Sequence, residues 1–296
     1  MNVKKNVFMG CDADFDEAEL VIYGAPFDST TSFRPGTRFA PNVLRADSLG
    51  FETYSPYQDR DITELRICDA GDLFAPLGNA EEMLDLVRQQ SDWILDAGKM
   101  PVMVGGEHTL TQGVVASLVK RFPNLHIFHF DAHTDLRDVF LGQELSHANV
   151  IKKAWRLMGE EKADGRIHAF GIRSGDREEF LFGREHLDYH CFTLDGVHES
   201  VQRVLAEDPE TPVYLTLDLD VLDPSVLPGT GTPEPGGASF MELLNALLEM
   251  KPLRFVGFDV VELSPPYDPT GSSNAACWKL LRELFLIATA RGQGKR

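Results

Sequence analysis

Cysteine is scarce in this sequence: its 296 residues contain only Cys11, Cys68, Cys191 and Cys277, widely spaced and without a Cys-x-x-Cys pair. This spacing excludes a disulfide scaffold, a zinc knuckle and a redox dithiol. The first ten residues include two lysines but no long apolar core, so they do not indicate a signal peptide. No apolar run approaches the roughly 20 residues that span a bilayer. We therefore expect a soluble protein of the cytoplasm.

Basic residues are also in deficit, with 28 Lys and Arg against 46 Asp and Glu and a formal charge of -18. The resulting field disfavours nucleic acid and anionic membranes as partners, and it attracts metal ions or a positively charged small substrate. Solubility alone also explains such a charge, so the charge by itself assigns no ligand. The apolar fraction of 43% is ordinary and sufficient for a large core.

The chain has no internal repeat, low-complexity tract or Gly/Ser linker, so we expect one domain over residues 1–296. Short apolar runs alternate with amphipathic stretches that have helix-end signals. Asn79 is a candidate helix cap before a helix that ends at Gly98, Pro41 a candidate first helical residue, and Ser239 or Ser273 later caps. The apolar runs lie at 20–25, 65–69, 102–105, 126–131, 167–171, 190–194, 213–218 and 255–260.

This alternation predicts an α/β protein with a parallel sheet covered on both faces. About eight strands fit either an open doubly wound sheet or an eight-stranded barrel, and periodicity does not separate them. Both architectures place the active site at the carboxyl ends of the strands, where acidic and histidine side chains should then collect.

Three predicted strands end in such side chains. They bring together two histidines and four aspartates: His108, Asp131, His133, Asp135, Asp218 and Asp220. Each cluster alone is typical of a turn or a helix cap. Four carboxylates at one edge of a sheet repel one another unless a cation holds them, so together the clusters indicate bound metal. His126 and His129 are interpreted as strand positions without a catalytic role.

The ligand set contains no thiolate and is rich in oxygen, which favours manganese. Six ligand residues suit two ions, with Asp131 and Asp218 bridging them. A metal pair lowers the pKa of water towards neutrality and positions it as a nucleophile, so the expected chemistry is hydrolysis.

The motifs that carry these residues resemble those of arginases and agmatinases, the ureohydrolase superfamily, along nearly the whole chain. They are Gly-Gly-Glu-His at 105–108, Asp-Ala-His-Thr-Asp at 131–135, Asp-Leu-Asp-Val-Leu-Asp-Pro-Ser at 218–225, and the segments 24–28, 228–233 and 259–265. The resemblance implies an open, mostly parallel three-layer α/β/α fold and assembly as homotrimers or homohexamers. Glu107 departs from the family pattern, since many relatives have Asp there.

The resemblance also implies the roles of the site residues. It implies two Mn2+ per subunit, one held by His108, Asp131, Asp135 and Asp218 and the other by Asp131, His133, Asp218 and Asp220. Glu262 matches the carboxylate that pairs with the substrate guanidinium, a role suited to bidentate geometry. His147 matches a proton-shuttling histidine, and Thr232 is expected to contact substrate. Asp135 is expected to act in catalysis with His147 and Glu262, as a bridging hydroxide attacks the guanidinium carbon and urea is released.

The segment 138–147 lacks the Ser-Gly-Asn of arginases and, like the segment 27–41, is similar to the agmatinase branch. We therefore predict hydrolysis of agmatine to urea and putrescine. The alternatives are a guanidinobutyrase or other guanidino-acid hydrolase, in which Arg34 or Arg38 would bind the substrate carboxylate, and then an arginase. A non-catalytic family member and a metal-dependent deacetylase are the hypotheses of a different class.

Overall fold

The computed structural model of the protein describes residues 6–291, and an open sheet of eight parallel strands runs through its centre. The strands of this sheet are β1 (Leu20–Ala25), β4 (Ile67–Asp72), β5 (Met100–Gly105), β6 (His126–Phe130), β7 (Ile167–Ile172), β8 (Asp188–Cys191), β9 (Pro212–Asp218) and β10 (Arg254–Val261). A separate short hairpin consists of β2 (Tyr54–Ser55) and β3 (Arg60–Asp61). The spatial order β4-β1-β5-β10-β9-β6-β7-β8 leaves two edges, β4 and β8, so the sheet is open and the barrel alternative is wrong.

Helices cover both faces of the sheet, which gives the predicted three-layer α/β/α fold. The α-helices of the described part are α1 (Ala40–Ser48), α2 (Ala80–Asp96), α3 (Thr111–Arg121), α4 (Val150–Leu157), α5 (Arg177–His186), α6 (Val197–Glu207), α7 (Phe240–Glu249) and α8 (Ser272–Ala288). One layer contains α1, α6, α7 and α8, and the other contains α2, α3 and α4. Each layer encloses its own apolar core against one face of the sheet. The interior strands β1, β6 and β9 are buried along their whole length, which is why they read as continuous apolar runs.

Most of the expected helix ends are confirmed. The Asn79 side chain accepts a hydrogen bond from the Glu82 backbone at the start of α2, and Ser239 caps α7 in the same way. Pro41 is the second residue of α1 rather than the first. The expectation that Ser273 caps a helix is wrong: α8 starts one residue earlier, and the Ser273 hydroxyl donates instead to Asp268 Oδ2 at 2.6 Å.

The four central strands are β5, β10, β9 and β6, and their carboxyl ends lie side by side. The register aligns these ends, since Val261 at the end of β10 pairs with Asp218 at the end of β9, and Phe130 pairs with Leu217. The chain order reverses here, because β5 and β6 are consecutive along the chain but lie on opposite sides of β10 and β9. Open parallel sheets bind ligands at such a switch point.

No helix in residues 6–291 is both long enough and apolar enough to cross a membrane.

Candidate active site

The segment after β5 reaches the site through a close backbone contact. A Cβ on Gly106 would lie 1.9 Å from the Phe27 carbonyl oxygen, so only glycine fits at this position. The next residues turn into a short 3-10 helix, His108–Leu110, which begins with the buried His108.

His108 faces three aspartates from two other strands. Its Nδ1 lies 3.1 Å from Asp131 Oδ2, 3.1 Å from Asp135 Oδ2 and 3.3 Å from Asp218 Oδ2. His129 joins this group from β6, with its Nε2 2.8 Å from Asp131 Oδ2. The ligand atoms of His108, His129, Asp131 and Asp135 all lie within 4.8 Å of one another, which is close enough to hold one cation.

A second group shares Asp131 with the first. His133 Nδ1 lies 3.0 Å from Asp220 Oδ2 and 3.6 Å from Asp131 Oδ1. These three residues can also hold a metal ion, because their ligand atoms lie within 4.8 Å of one another. Backbone N–H groups hold the carboxylates in place: His133 donates to Asp131 Oδ1 at 2.6 Å and Asp220 donates to Asp218 Oδ1 at 2.9 Å.

A buried hydrogen-bond chain fixes how His108 presents its ring. The Thr216 hydroxyl donates its hydrogen to Asp259 Oδ1 at 2.7 Å, so towards His108 Nε2, 2.9 Å away, it acts only as an acceptor. Nε2 therefore carries a hydrogen, and Nδ1 is the ring atom left to face the three aspartates and to bind a cation. Asp259 also accepts hydrogen bonds from Thr111 and Tyr214.

The donor set fits a metal ion. Nδ1 of His108 is buried and has no hydrogen-bond partner within the described residues. Burial raises the pKa of Asp218 well above its ordinary value, and the charges of Asp220 and Asp131 add to this. Burial and then the charge of Asp131 raise the pKa of Asp135 to about 6. A bound metal ion would stabilise the ionised form of these carboxyl groups.

Two of the site residues have strained backbones. Asp135 has φ 52° and Glu262 has φ 65°, in the left-handed region that residues other than glycine rarely adopt. Each such residue costs of order 1 kcal/mol or more, and such residues cluster at functional sites.

Glu262 contacts the first group, and Thr232 contacts the second. Glu262 is 5% exposed, and its Oε1 accepts a hydrogen bond from the His108 backbone N–H at 2.7 Å. Burial raises the pKa of Glu262 well above its ordinary value. The Thr232 hydroxyl donates to Asp220 Oδ2 at 3.2 Å.

A pocket of about 340 Å³ opens over this cluster. His133, Asp135 and Thr232 line it together with His147, whose Nε2 lies 3.2 Å from the Ser32 hydroxyl. Burial lowers the pKa of His147 to about 4, and the positive charges of His133 and His108 contribute. His147 is therefore neutral near pH 7.

The wall of the pocket carries one arginine and two carboxylates. Arg137 Nη2 lies 3.0 Å from Asp176 Oδ2, and Arg137 Nε lies 3.3 Å from Glu179 Oε2. The two arginines considered for a substrate carboxylate lie elsewhere: Arg38 pairs with the buried Asp28, and the Arg34 guanidinium stacks on the Tyr267 ring at 3.9 Å.

The structure thus brings all six expected ligand residues together, with Thr232, His147 and Glu262 beside them. The sequence interpretation assigned His129 only a strand position, and it gave no role to Asp259 or Arg137. His129 carried a signal, because it precedes Asp131 by two residues and alternate strand positions share a face. Asp259 belongs to the 259–265 segment of the resemblance, but its partners lie on another strand and a helix, so its contacts could not be read from the sequence. Arg137 carried no signal.

This fold and site define a family. The arginase family model matches residues 18–287, and the chain belongs to that family. It is an enzyme of the ureohydrolase class, in the agmatinase branch.

Known relatives agree with this assignment. An agmatinase from Bacillus anthracis is 43% identical over 282 residues, which are 95% of this chain and 95% of the relative. A guanidinobutyrase from Pseudomonas aeruginosa is 31% identical over 283 residues, which are 93% and 88% of the two chains. The crystal structure of the agmatine ureohydrolase of Thermoplasma volcanium has a TM-score of 0.87 and 29% identity, and the match covers 100% of this chain and 98% of that one.

Proposed function

We propose that this enzyme hydrolyses agmatine to urea and putrescine with two Mn2+ per subunit. The observation that carries the proposal is the convergence of buried His108, Asp131, Asp135 and Asp218 around one point, with Asp220 and His133 beside it. His108, Asp131, Asp135 and Asp218 would hold one ion, and Asp131, His133, Asp218 and Asp220 the other. When bound, the metal pair supplies Lewis acidity and lowers the pKa of water towards neutrality.

The protein's own groups orient the guanidinium and move a proton. Glu262 is a buried carboxylate that forms no salt bridge with a cationic side chain in residues 6–291, so a planar guanidinium would satisfy it. His147 Nδ1 is buried without a hydrogen-bond partner in the same part of the chain, so this atom can take up a proton and return it to the leaving amine. Asp135 and Thr232 line the pocket between these two groups.

The charge of the pocket supports a substrate with a second cation. Arg137 faces both Asp176 and Glu179, so the wall has a net negative charge and favours an ammonium over a carboxylate. The similarity of this chain to the agmatinase from Bacillus anthracis also supports agmatine as the substrate. A guanidino acid is the second candidate substrate because of the similarity to the guanidinobutyrase. To bind Arg137, its carboxylate would have to displace Asp176 and Glu179 from that arginine.

Urea release from agmatine, L-arginine and 4-guanidinobutyrate by the Mn2+-loaded protein tests the proposal. We expect a strong preference for agmatine with formation of putrescine, and no activity in Asp131→Asn. The Glu262→Gln variant should lower kcat/KM by about 10- to 100-fold, because it removes one charged hydrogen-bonding partner. Preference for 4-guanidinobutyrate would show that the substrate is a guanidino acid rather than agmatine. Failure to release urea from any of the three compounds would contradict the proposed function.

We also propose that the protein forms homotrimers or homohexamers and acts in the cytoplasm. Phe74 and Leu77, 92% and 96% exposed in the loop after β4, give the surface apolar side chains that a subunit contact would cover. Cys11, Cys191 and Cys277 form no disulfide within residues 6–291, as expected in a reducing compartment. Sedimentation analysis would measure the subunit number, and a monomer would contradict the assembly.

A further inference from the structure

Glu107 is a fully buried carboxylate, and the proposed reaction leaves it without a role. It accepts two hydrogen bonds from Thr30, one from the backbone N–H to Oε2 at 2.9 Å and one from the hydroxyl to Oε1 at 2.7 Å. The Thr31 hydroxyl adds a third, to Oε2 at 3.2 Å. Burial raises the pKa of Glu107 to about 7, and the hydrogen bonds from Thr30 and Thr31 favour its ionised form, so the side chain and the segment hold each other in place.

These bonds close one side of a loop. Residues 28–36 leave the carboxyl end of β1, and Asp28 holds the base of the loop by accepting the Gly36 N–H at 2.8 Å. The Glu107 N–H donates to the Phe27 carbonyl at 2.9 Å, so the main chain of this segment also runs against the start of the loop. Glu107 is thus the side chain that fixes the loop near its tip.

The tip of the loop contacts the imidazole of His147. The Ser32 hydroxyl lies 3.2 Å from His147 Nε2. Thr31, which donates to Glu107, is the neighbour of Ser32 along the chain, so the contact to His147 lies next to the contacts with the buried Glu107. Ser32 itself is exposed, so the position of the tip depends on the bonds that Thr30 and Thr31 make to Glu107.

We propose that Glu107 is a positioning residue: by fixing Thr30 and Thr31 it orients the imidazole of His147 in the pocket. The inference rests on the proposed proton-transfer role of His147. It links the segment that presents His108 to the loop that orients His147, so both sides of the pocket are held by adjacent residues of one chain segment.

A matched pair of variants separates the hydrogen bond from packing. Thr30→Val removes the hydroxyl and keeps the shape, whereas Thr30→Ser keeps both donors. Glu107→Gln is a second variant, in which one oxygen can no longer accept. Thr63→Val is the control, because Thr63 also donates its N–H and its hydroxyl to one carboxylate, at 2.9 and 2.7 Å, in an exposed turn.

We expect Thr30→Val to lower kcat with agmatine about tenfold, the loss of one hydrogen bond to a charged group, while KM stays within about threefold. Mn2+ stoichiometry should not change. Amide hydrogen exchange in residues 29–33 should become faster in Thr30→Val and Glu107→Gln but not in Thr30→Ser or Thr63→Val. In the Thr30→Val/Glu107→Gln double variant, kcat should fall by less than the product of the two single decreases, because both substitutions act on one contact.

Wild-type kcat and exchange in Thr30→Val would overturn the inference. So would faster exchange with an unchanged kcat, which would mean that the loop is fixed without serving His147. An equal loss in Thr30→Ser would assign the effect to packing instead. Failure of the proposed function is distinguishable, because the wild-type protein itself would then release no urea, while the exchange of residues 29–33 would still report the contact.

Discussion

The Thr216→Val substitution should weaken metal binding without touching a ligand. Thr216 is fully buried, and its hydroxyl accepts the hydrogen of His108 Nε2 while donating to Asp259. Valine has nearly the same shape but no oxygen, so the imidazole loses the contact that fixes its ring hydrogen on Nε2. Part of the protein would then carry the ring hydrogen on Nδ1, the atom that would otherwise bind the metal ion.

The expected loss is one hydrogen bond that orients a ligand, and such partners typically change metal affinity by 10- to 100-fold. This corresponds to about 1.4 to 2.7 kcal/mol at the site that contains His108. A titration of the metal-free protein with Mn2+, following free ion by electron paramagnetic resonance, should show one of two binding steps weakened. The Mn2+ affinity of the other step, at the site that contains His133 and Asp220, should change less.

Thr216→Ser is the control, since serine can make both hydrogen bonds and should bind Mn2+ as the wild type does. The valine variant also leaves Asp259 with one donor fewer, so urea denaturation of the metal-free forms should be compared to separate a general loss of stability. Equal Mn2+ affinities for Thr216→Val and wild type would refute the assignment of the His108 ring.

Three further predictions concern the whole molecule. Chelation of metal should lower Tm, and added Mn2+ should restore it with a dependence on concentration that is absent in Asp131→Asn; a Tm insensitive to Mn2+ would count against the metal centre. Gly106→Ala should lower the free energy of unfolding by about 3 kcal/mol in urea denaturation, because the added Cβ would overlap the chain after β1. The control Gly50→Ala should lower it by less than about 1 kcal/mol, because the atom nearest to its Cβ is 3.4 Å away. Burial lowers the pKa of His126 from 6.5 to about 3, so below pH 6.5 the unfolded chain binds a proton that the native state does not, and stability falls. Between pH 7 and pH 5 the wild type should lose about 2 kcal/mol more than His126→Gln, and parallel pH profiles would contradict this.

The strands and the ligand cluster were predictable because their information is local. Each central strand is an apolar run buried on both faces, and each cluster follows such a run directly, as Asp131 follows β6. The rule that parallel strands present their carboxyl ends together then places residues about a hundred positions apart in one site. No knowledge of strand order was needed.

The supporting contacts depend on strand order and register, which the sequence pattern does not contain. Thr216 reaches Asp259 only because β9 and β10 are neighbours in one register, and Arg137 finds its carboxylates across a helix and a loop. For Ser273 a local signal was present but misleading. Serine is a good capping residue, yet its hydroxyl donates to Asp268 and accepts from the Gly229 N–H instead of capping α8. Local preference loses where a tertiary partner is available.

The place of β10 in the sheet also constrains how the protein is synthesised. β10 is the last strand within residues 6–291, yet it lies between β5 and β9 at the centre of the sheet. Until residues 254–261 leave the ribosome, the nascent chain holds two half-sheets, each with an unpaired and apolar inner edge, β5 on one side and β9 on the other. Glu262 is the residue that follows this strand. A truncated or stalled chain therefore lacks both the strand that joins the two half-sheets and Glu262, the proposed partner of the substrate guanidinium. Such a shortened product should aggregate rather than persist as a partly active enzyme.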